Sequence, residues 1–158
     1  MNKMNKMKFF YDMHIHSDLS PCGSEDMTPN NIVNMACIKG LNIISVTDHN
    51  AADNLPAAME LCNSSGIKLI PGIEVTTREE VHVLCYFKDI YNALEYGDLI
   101  YNSLPDIPNT PSIFGRQNIY NSRDEITGTL DKLLLSTSGY TLTEICSITE
   151  QYHGIMIP

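Results

Sequence analysis

Two apolar, β-branched runs, Asn42-Ile-Ile-Ser-Val-Thr47 and Lys68-Leu-Ile-Pro-Gly-Ile73, each break off at ionisable residues, Asp48-His49 and Glu74. The segment between them has the apolar spacing of a helix: Leu55, Ala58, Met59 and Cys62 share one face, Asn54 is placed to cap it, and Asn63-Ser-Ser-Gly66 ends it. An earlier helix has the same grammar, with Thr28 as N-cap, Pro29 at the first position, Ile32, Val33, Ala36 and Cys37 as a stripe, and Gly40 as the stop. Strand, helix, strand, helix, strand predicts an α/β fold with parallel pairing in one sheet or barrel. Such strands gather their carboxyl ends on one face, where α/β enzymes keep their chemistry.

On that face the sequence collects metal ligands. A stretch of 69 residues holds His14-Ile15-His16, Asp48-His49, Glu74 and His82, each at or near the end of an apolar run. Successive strand side chains alternate, so His14 and His16 point the same way while Ile15 turns into the layer behind. Taken singly each piece has a plain reading, as a surface histidine pair, a strand end or a core histidine. Together they outweigh it. Imidazole with carboxylate suits zinc, manganese or iron, and the shortage of nearby thiolates argues against a structural cysteine-type zinc site. The chain therefore reads as a metallohydrolase. Arg78, between Glu74 and His82, is a candidate catalytic clamp for a phosphate oxygen, weighed against a solvated surface arginine.

The remaining segments are expected to frame this site. Ala93 to Asn102 reads as a helix in which Tyr96, Leu99 and Ile100 pack rather than stack on a base. Residues 113–129 suggest an inserted hairpin that covers the site. A helix from Leu142 to Glu150, capped by Thr141 or Ser138, leads to a last strand. His153 reads as a helix-end or surface histidine.

Composition narrows the setting. A length of 158 residues suits one domain, and no apolar run reaches the ~18 residues of a membrane span. Residues 1–7 read as a flexible leader without a signal core. Five cysteines, an odd number, predict free thiols in a reducing, cytoplasmic compartment. The net charge of −9 and the lack of a basic stripe predict a small phosphorylated substrate or nucleotide, with no extended nucleic-acid surface and no membrane partner.

The motifs Asp12-Met-His14-Ile-His16-Ser-Asp-Leu-Ser20-Pro-Cys-Gly23, Val46-Thr-Asp48-His49-Asn50 and Pro71-Gly-Ile-Glu74-Val75, followed by Val81-His82-Val83, resemble those of the PHP (polymerase and histidinol phosphatase) domain, a family of metal-dependent phosphoesterases. The resemblance covers nearly the whole chain, residues 8–158. It implies a distorted (β/α)7 TIM-like barrel with two or three divalent ions at the carboxyl ends. By the same resemblance His14, His16, His49, Glu74 and His82 would be ligands, Glu74 would bridge two ions, and Asp48 would orient His49 or accept a proton from water. Two departures stand out. Members with three metals commonly carry an aspartate after the histidine pair, where this chain has Cys22, with Asp18 out of register. Gly154-Ile-Met-Ile-Pro158 resembles the start of a strand that continues into an Ala-His motif, so the expectation is a partial barrel whose closing strands are absent. The leading expectation is metal-dependent hydrolysis of a phosphomonoester, nucleotide or short oligonucleotide. The alternatives are an incomplete domain that binds metal without turnover and, ranked third, amide hydrolysis.

Overall fold

In the computed structural model, which describes residues 8–158, the chain begins with β1 (Tyr11–Ile15) at the edge of a parallel sheet. The leader expected over residues 1–7 lies outside the described residues. Helix α1 (Pro29–Lys39) follows, its first turn closed by Thr28, whose Oγ1 accepts from the Asn31 N–H at 3.3 Å, and its end turned by Gly40 at φ 67°. The chain returns as β2 (Ile43–Val46), parallel to β1 with Tyr11 opposite Ile43 and Ile15 opposite Val46. Helix α2 (Leu55–Ser65) and β3 (Lys68–Leu69) repeat the unit on the other side of β2.

α1 and α2 present Ile32, Val33, Ala36, Leu55, Ala58 and Cys62 to Ile44, Val46 and Leu69 in one buried cluster. Each fully buried Leu, Ile or Val contributes about 1.5–3 kcal/mol by leaving water. Cys37, expected in the α1 stripe, is instead exposed. Asn54 sits at the α2 N-terminus but makes no cap; its side chain donates to Ser17 Oγ and the Asn118 carbonyl and accepts from the Tyr120 N–H.

The parallel pattern stops after β3. Ile70 N–H still bonds the Ile44 carbonyl at 2.9 Å, then Pro71, lacking an N–H, interrupts the ladder. The chain resumes as β4 (Gly72–Thr76), which rejoins the extension of β2 through a parallel bridge between His49 and Glu74. β4 then pairs antiparallel with β5 (His82–Phe87). Five residues join the two strands, and a parallel crossover needs about a dozen or more. An all-parallel arrangement was thus excluded by connection length.

Helix α3 (Ile90–Ser103), capped by Asp89, packs Tyr96 and Ile100 fully inside, as the packing reading expects. The short α4 (Pro111–Phe114) leads to a hairpin of β6 (Asn118–Tyr120) and β7 (Ile126–Thr129). This hairpin is tied to the loop after β1 and to the start of α1: Asn118 and Tyr120 bond Asp18, and Asn30 bonds the Ser122 carbonyl. Helix α5 (Leu142–Gln151) opens with a capping box between Thr141 and Glu144 and leads to β8 (Gly154–Ile157), antiparallel to β5. His153 occupies the turn between them at φ 56°. The strand order across the molecule is β1, β2, then β3 running on into β4, then β5 and β8. The described residues form a mixed α/β fold without a closed barrel.

Gly72 marks the tightest crossing of this surface. A Cβ there would lie 2.5 Å from Ser45 Oγ, 2.8 Å from Thr47 Cγ2 and 3.0 Å from Tyr86 Cδ1. Gly72→Ala is therefore expected to lose about 1–3 kcal/mol of stability, read as a lower urea midpoint at unchanged slope.

Candidate metal centre

The carboxyl ends of β1, β2 and β4 lie at one end of the sheet, and the antiparallel turn into β5 brings His82, the first residue of that strand, to the same end. His14 in β1 and His16 just beyond it project together, with their Nε2 atoms 2.9 Å apart. Glu74 lies beneath them, 5% exposed. Its Oε2 is 3.0 Å from His14 Nε2, 2.7 Å from His16 Nε2 and 3.6 Å from His49 Nδ1, and its Oε1 is 2.9 Å from His82 Nδ1. His14 and His82 are half exposed and form the mouth, whereas His49 and Glu74 form the floor.

No lysine or arginine reaches Glu74 among the described residues; its ion-pair partners are the four histidines. The Nε2 atoms of His14 and His16 face one another as well as one carboxylate oxygen, so either both carry hydrogens that crowd each other or one is bare and its lone pair faces that of the oxygen, and a cation between them relieves either arrangement. His49 Nδ1 is also buried without a hydrogen-bond partner among the described residues. Four imidazoles and a carboxylate converging in this way fit a first-row divalent ion. Three groups could hold one, each with ligand atoms within 4.8 Å of one another: His14, His16 and Glu74; His49, Glu74 and His82; and His16, Cys22 and His49.

The electrostatics keep these groups in their ligand forms. Burial alone would raise the Glu74 pKa, but the hydrogen bond from His16, the charge of His49 and the hydrogen bonds from His14 and His82 bring it down to about 2. Burial lowers His49 to about 4, helped by repulsion from His16, His82 and His14 and opposed by Glu74. Near neutral pH Glu74 is therefore ionised and His49 neutral, the states a metal requires.

Asp48 does not reach the His49 ring. It is 3% exposed, and its oxygens accept from the Ser17 N–H at 2.7 Å and from the hydroxyls of Ser17 and Ser20 at 2.6 Å each. Ser20 Oγ in turn accepts from the His49 N–H at 3.0 Å. Asp48 thus acts on the backbone of the site, clasping the loop after β1 to the end of β2. Burial raises its pKa, and Ser17 and Ser20 oppose that. Arg78 Nη2 lies 3.9 Å from Glu144 Oε2, and both side chains are more than half exposed.

Asp18 is buried and turned toward the hairpin, where it accepts from Asn118 Nδ2 at 2.6 Å and from the Tyr120 hydroxyl at 2.5 Å. Its Oδ2 is thus engaged by the hairpin. Cys22 does approach the site, with Sγ 2.9 Å from His16 Nδ1. Sequence reasoning missed Asn50, whose side chain donates to the carbonyls of Leu134 and Ser136 and accepts from the Thr76 N–H, stapling the segment before α5 to the strand ends. Its signal was an asparagine following a strand end, a residue type that tolerates the left-handed backbone found here at φ 51°.

Comparison with known proteins places these features in context. The family profile described as PHP domain matches residues 12–156. The 5'-3' exoribonuclease Rnm of Salmonella typhimurium is 33% identical over 79 residues, which are 47% of this chain and 26% of that enzyme. The match therefore spans about a quarter of the relative's length. Among solved structures, a protein taken to be a metal-dependent phosphoesterase from Bifidobacterium adolescentis superposes with a TM-score of 0.65 at 17% identity, over 95% of this chain and 66% of that one. The lesion-specific endonuclease Q of Pyrococcus furiosus superposes with a TM-score of 0.62 at 20% identity, over 95% of this chain and 34% of that one. At these identities the likeness shows the fold. The expectation of a small phosphorylated partner without a nucleic-acid surface is overturned, because the curated relatives that the chain matches are exoribonucleases. A net negative charge does not exclude a polynucleotide, because an enzyme that grips a strand at the reacting phosphate can draw its attraction from bound ions rather than from a basic surface.

The metal-free site carries a pH signature. His49 is lowered from 6.5 to about 4 and Glu74 from 4.5 to about 2, so in both windows the unfolded chain binds more protons than the folded one. Stability of chelator-treated protein is expected to fall as pH drops, first between 6.5 and about 4, then between 4.5 and about 2. Urea midpoints measured across this range check it, and His49→Asn should flatten the upper part.

Proposed function

The chain belongs to the PHP domain family, and on that premise we propose that it is a metal-dependent phosphoesterase that hydrolyses phosphoester bonds in nucleic acid, RNA in particular. The observation that carries the reading is the Glu74 carboxylate, buried and ringed by nitrogens of four histidines within 3.6 Å. In this proposal His14, His16, His49, Glu74 and His82 hold zinc, manganese or iron. Such ions, when bound, lower the pKa of a water and offset charge on the phosphate and the leaving oxygen.

The chain's own residues prepare that chemistry. Glu74, ionised down to about pH 2, supplies the negative charge that holds cations on the floor. His49, kept neutral by burial, offers a lone pair without competing for protons at pH 7. Half-exposed His14 and His82 leave the mouth open, so a strand end can enter without the fold moving. Asp48 fixes the loop after β1 and is a positioning residue. Arg78, paired with Glu144, is left out of the machinery. The exoribonuclease relative favours a polynucleotide end over a free metabolite. Among the described residues no helix is long and apolar enough to cross a membrane, and all five cysteines are unpaired, which supports a reducing, cytoplasmic location.

Incubation with a 3'-labelled oligoribonucleotide and manganese tests the reading. Stepwise shortening is expected, abolished by chelator and reduced at least about 100-fold in Glu74→Gln, which keeps the size but not the charge of the bridge. Metal binding in equilibrium dialysis without turnover of RNA, DNA or phosphomonoesters would instead make this a metal-binding domain and overturn the proposal.

A further inference from the structure

We propose that Cys22 is a sixth metal donor, forming with His16 and His49 a thiolate-containing subsite beside the Glu74 centre, and that this donor biases the chain toward zinc, cobalt or iron(II) and away from manganese. The inference rests on the metal-binding reading above and adds a ligand of a different chemical class to it.

The geometry comes from two directions. Cys22 Sγ lies 2.9 Å from His16 Nδ1, and one ligand atom from each of Cys22, His16 and His49 falls within 4.8 Å of the others. Ligands about 2.0–2.3 Å from a common tetrahedral zinc ion lie about 3.3–3.6 Å apart, so the thiol and the imidazole, now in hydrogen-bond contact, part by several tenths of an ångström when an ion enters. His16 stands between the two centres, and with its Nδ1 lone pair on an ion beside Cys22 the neutral ring keeps its proton on Nε2, where it donates to Glu74 Oε2 at 2.7 Å. Independently, the His49 side chain is only 6% exposed, and its Nδ1 has no hydrogen-bond partner among the described residues. A nitrogen shielded from water in this way lacks a partner that an ion would supply.

The loop is built to return the thiol to this place. Asp48 holds Ser17 and Ser20, the Gly23 N–H bonds the Ser20 carbonyl at 2.7 Å, and a Cβ on Gly23 would fall 2.2 Å from the Ser17 carbonyl oxygen. Only glycine permits that turn, and Cys22 is the residue it aims. Cys22 is exposed, so an ion can reach it from solution. On ligation the S–H bond is replaced by an S–metal bond and the proton leaves to water. Thiolate is the softest donor here, and soft donors favour zinc over manganese.

Cobalt(II) titration of the whole chain tests this, because a thiolate ligand gives a near-ultraviolet charge-transfer band that imidazole and carboxylate do not. The band is expected in the wild type, to persist in Cys37→Ser, which removes the other well-exposed thiol, and to vanish in Cys22→Ser. Zinc affinity in Cys22→Ser should fall at least about tenfold, with a smaller change for manganese. Cobalt bound without the band would overturn the thiolate ligand and leave the phosphoesterase reading standing. No cobalt bound at all would overturn both.

Discussion

A single buried carboxylate organises the working end of this molecule. Asp48 ends the β2 run and spends its lone pairs on the loop that follows β1, through the Ser17 N–H and the hydroxyls of Ser17 and Ser20. Hydrogen bonds to a charged acceptor contribute about 1.5–3 kcal/mol each, and removing a partner from a buried charge is costlier than the bond's net worth suggests. The loop carries His16 at its start and Cys22 at its tip, so the relation of the first motif to the strand ends depends on this clasp. Asp18 and Asn54 extend the network to the hairpin, which is why a distant insertion is rigidly joined to the loop it supports.

Around the clasp the imidazoles and Glu74 form a site held by mutual need. A buried glutamate without lysine or arginine would be poorly tolerated, and four histidines facing one carboxylate would repel if all were charged. The balance that burial and the neighbouring groups set, an ionised Glu74 and a neutral His49, is the protonation pattern that a divalent cation completes. The site is thus strained in charge rather than in backbone, and its demand for a cation follows from donor types and burial alone.

Much of the fold was legible in local pattern. Thr28, Pro29 and Gly40 bound α1 as expected, the hairpin falls within residues 113–129, and Thr141 rather than Ser138 caps α5. The parallel pairing of β1, β2 and β3 followed from the intervening helices. The antiparallel β5 was also legible, since the link from Thr76 to His82 is too short for a crossover, but the histidine drew attention from the spacing. Asn54 was misjudged because a capping residue type at a helix start is a local signal, whereas its actual partners, Ser17, Asn118 and Tyr120, lie far away in sequence. Asp48 shows the same limit of local reading: adjacency to His49 suggested a group that orients the ring or accepts a proton from water, whereas its hydrogen-bond partners, Ser17 and Ser20, lie in the loop after β1.

The sequence by itself determined the elements, the ligand residue types and the family, because periodicity, turn residues and motif spacing act within short windows of chain. Tertiary structure alone decided what each buried carboxylate faces. Glu74, within β4, and Asp48, just past β2, are both buried carboxylates at the same end of the sheet. The difference is their company: Glu74 meets imidazoles, which donate lone pairs to a cation, and Asp48 meets hydroxyls and an N–H, which donate protons to the carboxylate itself. The same holds for Cys22, whose neighbours His16 and His49 were brought to it by a turn that its own residue type could not announce.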